Sequence, residues 1–137
     1  MRKALVLVTV IAVSGSALAD SAAWVPVSNA ADVSVDMEQS TWTRSGDQAS
    51  VWFRERFAEP QTRPGQTVPF DDARFRVKID CSDLTATVLS TIWMANGQPI
   101  AKADGQMAAG PAVPGTALGD VAVKACGPRT AAPGDGE

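Results

Sequence analysis

The chain has no histidine and no tyrosine, and only two cysteines among its 137 residues. Without histidine, every scheme that uses imidazole as base or metal ligand is excluded, and the commonest hydrolase designs go with it. The cysteines, Cys81 and Cys126, lack CxxC spacing, which argues against a zinc site. Gly-rich phosphate loops and calcium-loop spacings are absent as well. What remains for catalysis is thin. Lys78, Lys102 and Lys124 sit in segments that read as exposed or helical, so none is placed as the desolvated partner of a serine. Asp80 with Asp83, or Asp71 with Asp72, would do acid–base work only in a cleft, and acids at turns and strand ends are far more often solvated. The expectation is a non-enzyme with no cofactor and no metal.

A long hydrophobic run is also missing. The apolar stretch from Ala4 to Val13 is ten residues long, and a helix crossing a bilayer core needs roughly twenty. Arg2 and Lys3 precede it and Ala17-Leu18-Ala19 follows, the three-part pattern of a cleavable secretory signal over 1–19. No cysteine lies near the cut to carry a lipid. The expected product is exported, periplasmic or at the cell surface or secreted, not lipid-anchored, and without an integral membrane segment after cleavage. Cleavage leaves 118 residues, one domain's worth, and removing Arg2 and Lys3 moves the net charge from −3 to −5. A mildly acidic chain is a poor general nucleic-acid binder, so no nucleic acid is expected as partner. In an oxidising compartment the simplest reading of Cys81 and Cys126 is one intramolecular bridge, which stabilises by about 4 kcal/mol in the chain-entropy model.

What is present is period-two alternation. Val33, Val35 and Met37 oppose Asp32, Ser34, Asp36 and Glu38. Val51, Phe53 and Phe57 share a face with Glu55, opposite Trp52, Arg54 and Arg56. Phe75, Val77, Ile79 and Cys81 alternate with Arg74, Arg76, Lys78 and Asp80. Ser45-Gly46-Asp47-Gln48 and Asn96-Gly97 carry the residues that tight hairpins require. The stretch Ala58 to Ala73 holds Pro60, Pro64, Gly65 and Pro69, too many prolines for a central strand, and reads as an exposed loop. After Pro114-Gly115, Thr116 is placed to cap a helix with Ala117, Leu118, Val121, Ala122 and Ala125 on one face, ending at Cys126-Gly127. The expected class is α+β, a small antiparallel meander of about six strands packed by a C-terminal helix, with one disulfide. One domain spans 20–126, and the Gly-, Pro- and Ala-rich 127–137 reads as a disordered tail.

Two strands that should be neighbours then place Trp52, Arg54 and Arg56 beside Arg74, Arg76 and Lys78, five of the mature chain's ten positive charges on one side of the sheet. Such a stripe suits an acidic partner surface or a polyanion, with Trp52 adding flat contact area. The competing reading is a solvated face on which Asp32, Asp36 and Glu38 pair with the arginines. Of the four tryptophans, Trp24 and Trp93 read as core; Trp42 and Trp52 are the candidates for exposure, although core or sheet packing is the favoured reading for each.

The order Trp24-Val25-Pro26-Val27, Val33-Ser34-Val35-Asp36, Val51-Trp52-Phe53-Arg54, Phe75 to Asp80-Cys81, and Val113-Pro114-Gly115-Thr116 leading to Cys126 resembles the bacterial surface-adhesin protein E-like family. The resemblance spans Trp24 to Cys126. It implies a small antiparallel sheet packed by a C-terminal helix and held by the cysteine pair, in an envelope or surface protein. The functional expectation is a non-enzymatic interaction module that uses the basic face or the Pro-rich loop from Ala58 to Ala73 to bind a protein partner, a host matrix protein or an envelope protein, or a polyanion. The alternative is a periplasmic inhibitor or accessory factor for an envelope enzyme. An open sheet edge would also allow a dimer.

Overall fold

The computed structural model describes residues 23–127. The signal assigned to 1–19 and the tail beyond Gly127 lie outside the described residues. Eight strands form one sheet: β1 (Trp24–Asn29), β2 (Val33–Glu38), β3 (Thr43–Ser45), β4 (Gln48–Gln61), β5 (Phe70–Asp80), β6 (Thr85–Ala95), β7 (Gln98–Asp104) and β8 (Gly110–Pro111). They are followed by one helix, α1 (Ala117–Cys126). The order is β1-β2-β4-β5-β6-β7, with every pairing antiparallel. The two shortest strands fill in beside longer ones. β3 lies along β4 where β2 has ended, and β8 lies along β6 where β7 has ended. The result is a meander whose sequence neighbours are its spatial neighbours, as hairpin-rich alternation dictates.

Asn96 and Gly97 both take positive φ, 50° and 77°, the pair of left-handed residues that a two-residue hairpin needs to match the twist of its strands. The core follows from the alternation. Val35 and Met37 of β2, Ala49, Val51 and Phe53 of β4, and Val77 and Ile79 of β5 are buried against Val121, Ala122 and Ala125 of α1. The Thr116 hydroxyl accepts from the Gly119 amide and donates to the Val113 carbonyl, so it caps α1 and ties it to the incoming chain. Gly127 ends the helix in extended geometry, φ −70°, so the stop does not use the left-handed conformation that usually favours glycine there. The Cys81–Cys126 disulfide joins the end of β5 to the end of the helix across a sequence separation of 45. Beside it the Trp42 indole donates to the Ala125 carbonyl, and Arg44 reaches the Cys126 carbonyl.

Three expectations need correction. The Pro-rich connection is shorter than Ala58 to Ala73, because β4 continues to Gln61 and β5 starts at Phe70. Pro60 is tolerated because it lies beyond the last β2 pair, Val33 with Phe57, and within the irregular stretch between Arg56 and Gln61 where the β5 ladder is interrupted. Trp24 is not in the core: it is half-buried on β1, at a sheet edge, and packs on arginines. Trp93 lies outside the core cluster too, with the Arg63 guanidinium 3.6 Å over its ring. Trp42, by contrast, is the tryptophan that packs against the core.

Candidate functional site

The sheet has two faces, and α1 occupies one. On the other, the register sets Trp52 opposite Arg76, Arg54 opposite Arg74, Arg56 opposite Asp72 and Ser50 opposite Lys78. Cross-strand partners point the same way, so Trp52, Arg54, Arg56, Arg74, Arg76 and Lys78 share the helix-free face. The structure therefore brings together all the residues of the basic stripe.

It also divides them. Asp36 of β2, only 5% exposed, accepts from two guanidiniums through a single carboxylate oxygen. Arg54 Nε lies 2.9 Å from Asp36 Oδ2, and Arg56 approaches with Nη2 at 3.0 Å and Nε at 3.1 Å. Arg74 Nη2 contacts Asp72 Oδ2 at 3.5 Å. The Trp24 ring closes over this group, with the Arg54 and Arg74 guanidinium carbons 4.3 Å and 5.6 Å from its centroid. Burial pushes the Asp72 carboxyl up, and the charge and hydrogen bond of Arg74 work against that rise. One half of the stripe is thus an internally paired network, three guanidiniums on two carboxylates, partly under an indole.

The other half is open. Among the described residues, Arg76 and Lys78 make no salt bridge and the Trp52 indole makes no hydrogen bond. Arg76 and Lys78 are exposed and Trp52 is half-buried. Lys78 forms one wall of a polar hollow of about 310 Å³ with Gln48, Asp80, Thr85, Thr87 and Gln106. The Asp80 carboxyl is held below the usual range by the Ser82 hydroxyl and amide, with a smaller contribution from the Lys78 charge. Asp104 is likewise lowered, first by the Ser90 hydroxyl and then by Lys102.

The acids considered for catalysis have structural partners. Asp80 and Asp83 close the β5–β6 turn by accepting from Ser82 and Thr85. Asp71 accepts from the Asn96 amide at 3.4 Å, and Asp72 belongs to the arginine network. Among the described residues, no group of three or more metal-ligating side chains gathers and no helix is long and apolar enough to cross a membrane. Sequence reasoning missed Trp24 as part of this face. Its signal was present only in the register, since Trp24 pairs with Glu38 on the same face as Asp36.

A single antiparallel sheet with one disulfide-clasped helix on one face, and cations and indoles on the other, defines a small α+β domain. The chain belongs to the surface-adhesin protein E family, whose profile it matches over residues 24–127. Among solved structures it is similar to crystal form II of Haemophilus influenzae protein E, at 14% identity and a TM-score of 0.51, over 67% of this chain and 79% of that one. At that identity the likeness speaks for the fold. No curated protein matches by sequence.

Proposed function

We propose that this protein is a non-enzymatic interaction module of the cell envelope, exported by its N-terminal signal, that holds an acidic macromolecular partner on the helix-free face of its sheet. The observation that carries this reading is the division of the basic stripe. Arg54, Arg56 and Arg74 are engaged by Asp36 and Asp72, with Arg54 and Arg56 sharing one carboxylate, so they stiffen the face. Trp52, Arg76 and Lys78 are adjacent and keep their binding capacity. An arginine and an indole side by side are the residue types that dominate interface energetics. Binding residues that run along neighbouring strands, rather than lining one enclosed cavity, suit a macromolecule better than a small substrate. Membership of a family described as surface adhesins supports the same reading.

Capture from matrix-protein and envelope preparations tests it. The mature protein is expected to retain a partner at low salt and to lose it progressively as salt rises, since contact through exposed cations is screened. Trp52→Ala and the pair Arg76→Gln with Lys78→Gln are each expected to weaken capture on the order of tenfold or more. Undiminished capture by both variants would overturn the assignment of the face.

A further inference from the structure

At the end of the helix-free face away from Asp36, hydroxyls and amides take the place of arginines. Gln48, Asp80 and Thr85 pair across β4, β5 and β6 in one row, and Ser50, Lys78 and Thr87 in the next. Trp52, Arg76 and Ser90 form the row after that, two strand residues further along. The surface is concave here. The first two rows, Ser50 apart, line the hollow of about 310 Å³, and Leu89, Gln106 and Ala109 complete its wall. Two features of the backbone build it. The β5–β6 ladder steps from Arg76–Ser90 to Val77–Val88, so Leu89 is an extra residue in β6, and such a bulge bends the strand and re-aims its side chains. The chain leaving β7 then runs back along the bulge, the Gly105 amide donating to the Leu89 carbonyl and the Met107 amide to the Val88 carbonyl, which sets Gln106 at the rim.

The groups in and beside the hollow are available. Among the described residues the Ser50 and Thr87 hydroxyls and the Gln106 amide make no hydrogen bond, and Arg76 and Lys78 make no salt bridge. Asp80 is held by Ser82, and Asp104 at the far end of the Arg76 row is paired with Lys102. Over these rows two cations, Arg76 and Lys78, therefore stand against one carboxylate, Asp80. Uncharged groups that both donate and accept, gathered in a shallow hollow beside an indole, suit a polyhydroxylated ring. Its hydroxyls give and take hydrogen bonds, and its C–H face packs on the flat aromatic. An acidic peptide would meet the cations but leave the hydroxyls and amides without partners. A densely sulfated chain would bring several charges against Asp80. A sugar ring with a single carboxylate satisfies both sets of groups.

We propose that this hollow is a subsite for one uronic-acid ring of a polysaccharide. The ring hydroxyls bond with Gln48, Thr87 and Gln106, the ring carboxylate meets Lys78, and the next ring of the chain lies over Trp52 beside Arg76. The inference rests on the helix-free face being the binding face, and it names the chemistry of the acidic partner held there.

The test adds four oligomers in turn to the full mature protein and follows the glutamine side-chain amides and the Trp52 indole by NMR. A hyaluronan hexasaccharide carries its acid on alternate rings and an alginate hexamer on every ring. Maltohexaose has the rings without the acid, and hexaglutamate the acids without the rings. At least one uronate oligomer is expected to move the Gln48 and Gln106 amides together with the Trp52 indole, saturably. It should bind on the order of tenfold more tightly than maltohexaose or hexaglutamate. Tighter binding of the alternating chain assigns a matrix-type source, and tighter binding of the fully acidic chain a bacterial one. Thr87→Val, which keeps the branched shape and removes the hydroxyl, and Gln106→Ala, at an exposed position, should each weaken uronate binding about three- to tenfold and leave hexaglutamate binding unchanged. Hexaglutamate or maltohexaose binding as tightly as the uronates would overturn the subsite. So would silence of both glutamine amides with every oligomer. If partner capture still depends on Trp52, Arg76 and Lys78, only the sugar subsite is lost; if it does not, the reading of the face is lost as well.

Discussion

At the scale of single residues, Asp36 organises the helix-free face. It is nearly inaccessible and takes both Arg54 and Arg56 on one oxygen, so removing its charge leaves two guanidiniums crowded together without a counter-charge, Arg54 under the Trp24 ring. Asp36→Asn is expected to lower the unfolding free energy by about 2 kcal/mol, read as a shift of the urea midpoint at unchanged slope. Titration gives a second expectation. The Glu55 and Asp72 carboxyls are raised in the fold, so the folded state holds more protons than the unfolded one between the two values. Their favourable contribution is present in acid and is lost as pH rises through the folded value. Asp80 and Asp104 are lowered and act in the opposite sense, contributing above the ordinary aspartate range and losing that contribution as pH falls. Comparing Glu55→Gln with wild type isolates the first effect. The variant's stability advantage should be largest near neutral pH and close as pH falls toward the acid range, followed by urea midpoints. The basic stripe was legible in the sequence because a strand's period of two is unforgiving. The role of Trp24 was not, because a tryptophan between alanine and valine reads as core until strand order places it at an edge over Arg54 and Arg74.

At the scale of elements, α1 depends on a tight N-terminal junction. A Cβ added to Gly119 would sit 1.7 Å from the Val113 carbonyl oxygen, so the helix and the chain entering it approach as closely as glycine allows. Gly119→Ala is expected to destabilise by about 2–3 kcal/mol, because backbone must move on one side or the other. Thr116→Ala removes the cap and should cost about 1 kcal/mol, and thermal melts of the two single variants would rank them in that order. The helix itself was legible, since Thr116, the apolar spacing and Gly127 bracket it in the sequence. The Pro-rich connection was not read correctly. Proline excludes a residue from a central ladder, but Pro60 stands where β2 has ended and the β5 ladder is interrupted, so the rule has nothing to act on. Which strands stop short of their neighbours is a tertiary fact that local composition does not carry.

At the scale of the whole molecule, the sheet is a large antiparallel surface with one short helix against part of it, and the Cys81–Cys126 bridge fastens that helix to the end of β5. Replacing both cysteines with serine is expected to lower stability by about 4 kcal/mol, the chain-entropy value for a loop of this length. Protease nicking near α1 should rise with it, because the covalent tie at the helix end is then left to core contacts and hydrogen bonds such as those of Trp42, Arg44 and Lys124. The fold leaves a face with exposed cations and an indole opposite the face that carries α1. The clearest test of the binding role proposed for it is NMR of the mature protein, labelled at arginine Nε and tryptophan indole, titrated with its captured acidic partner. Binding on the helix-free face predicts that the Trp52 indole and Arg76 Nε signals shift together while the indole of Trp42, bonded to Ala125 on the far side, stays in place. Movement of Trp42 with Trp52 and Arg76 unchanged would contradict it.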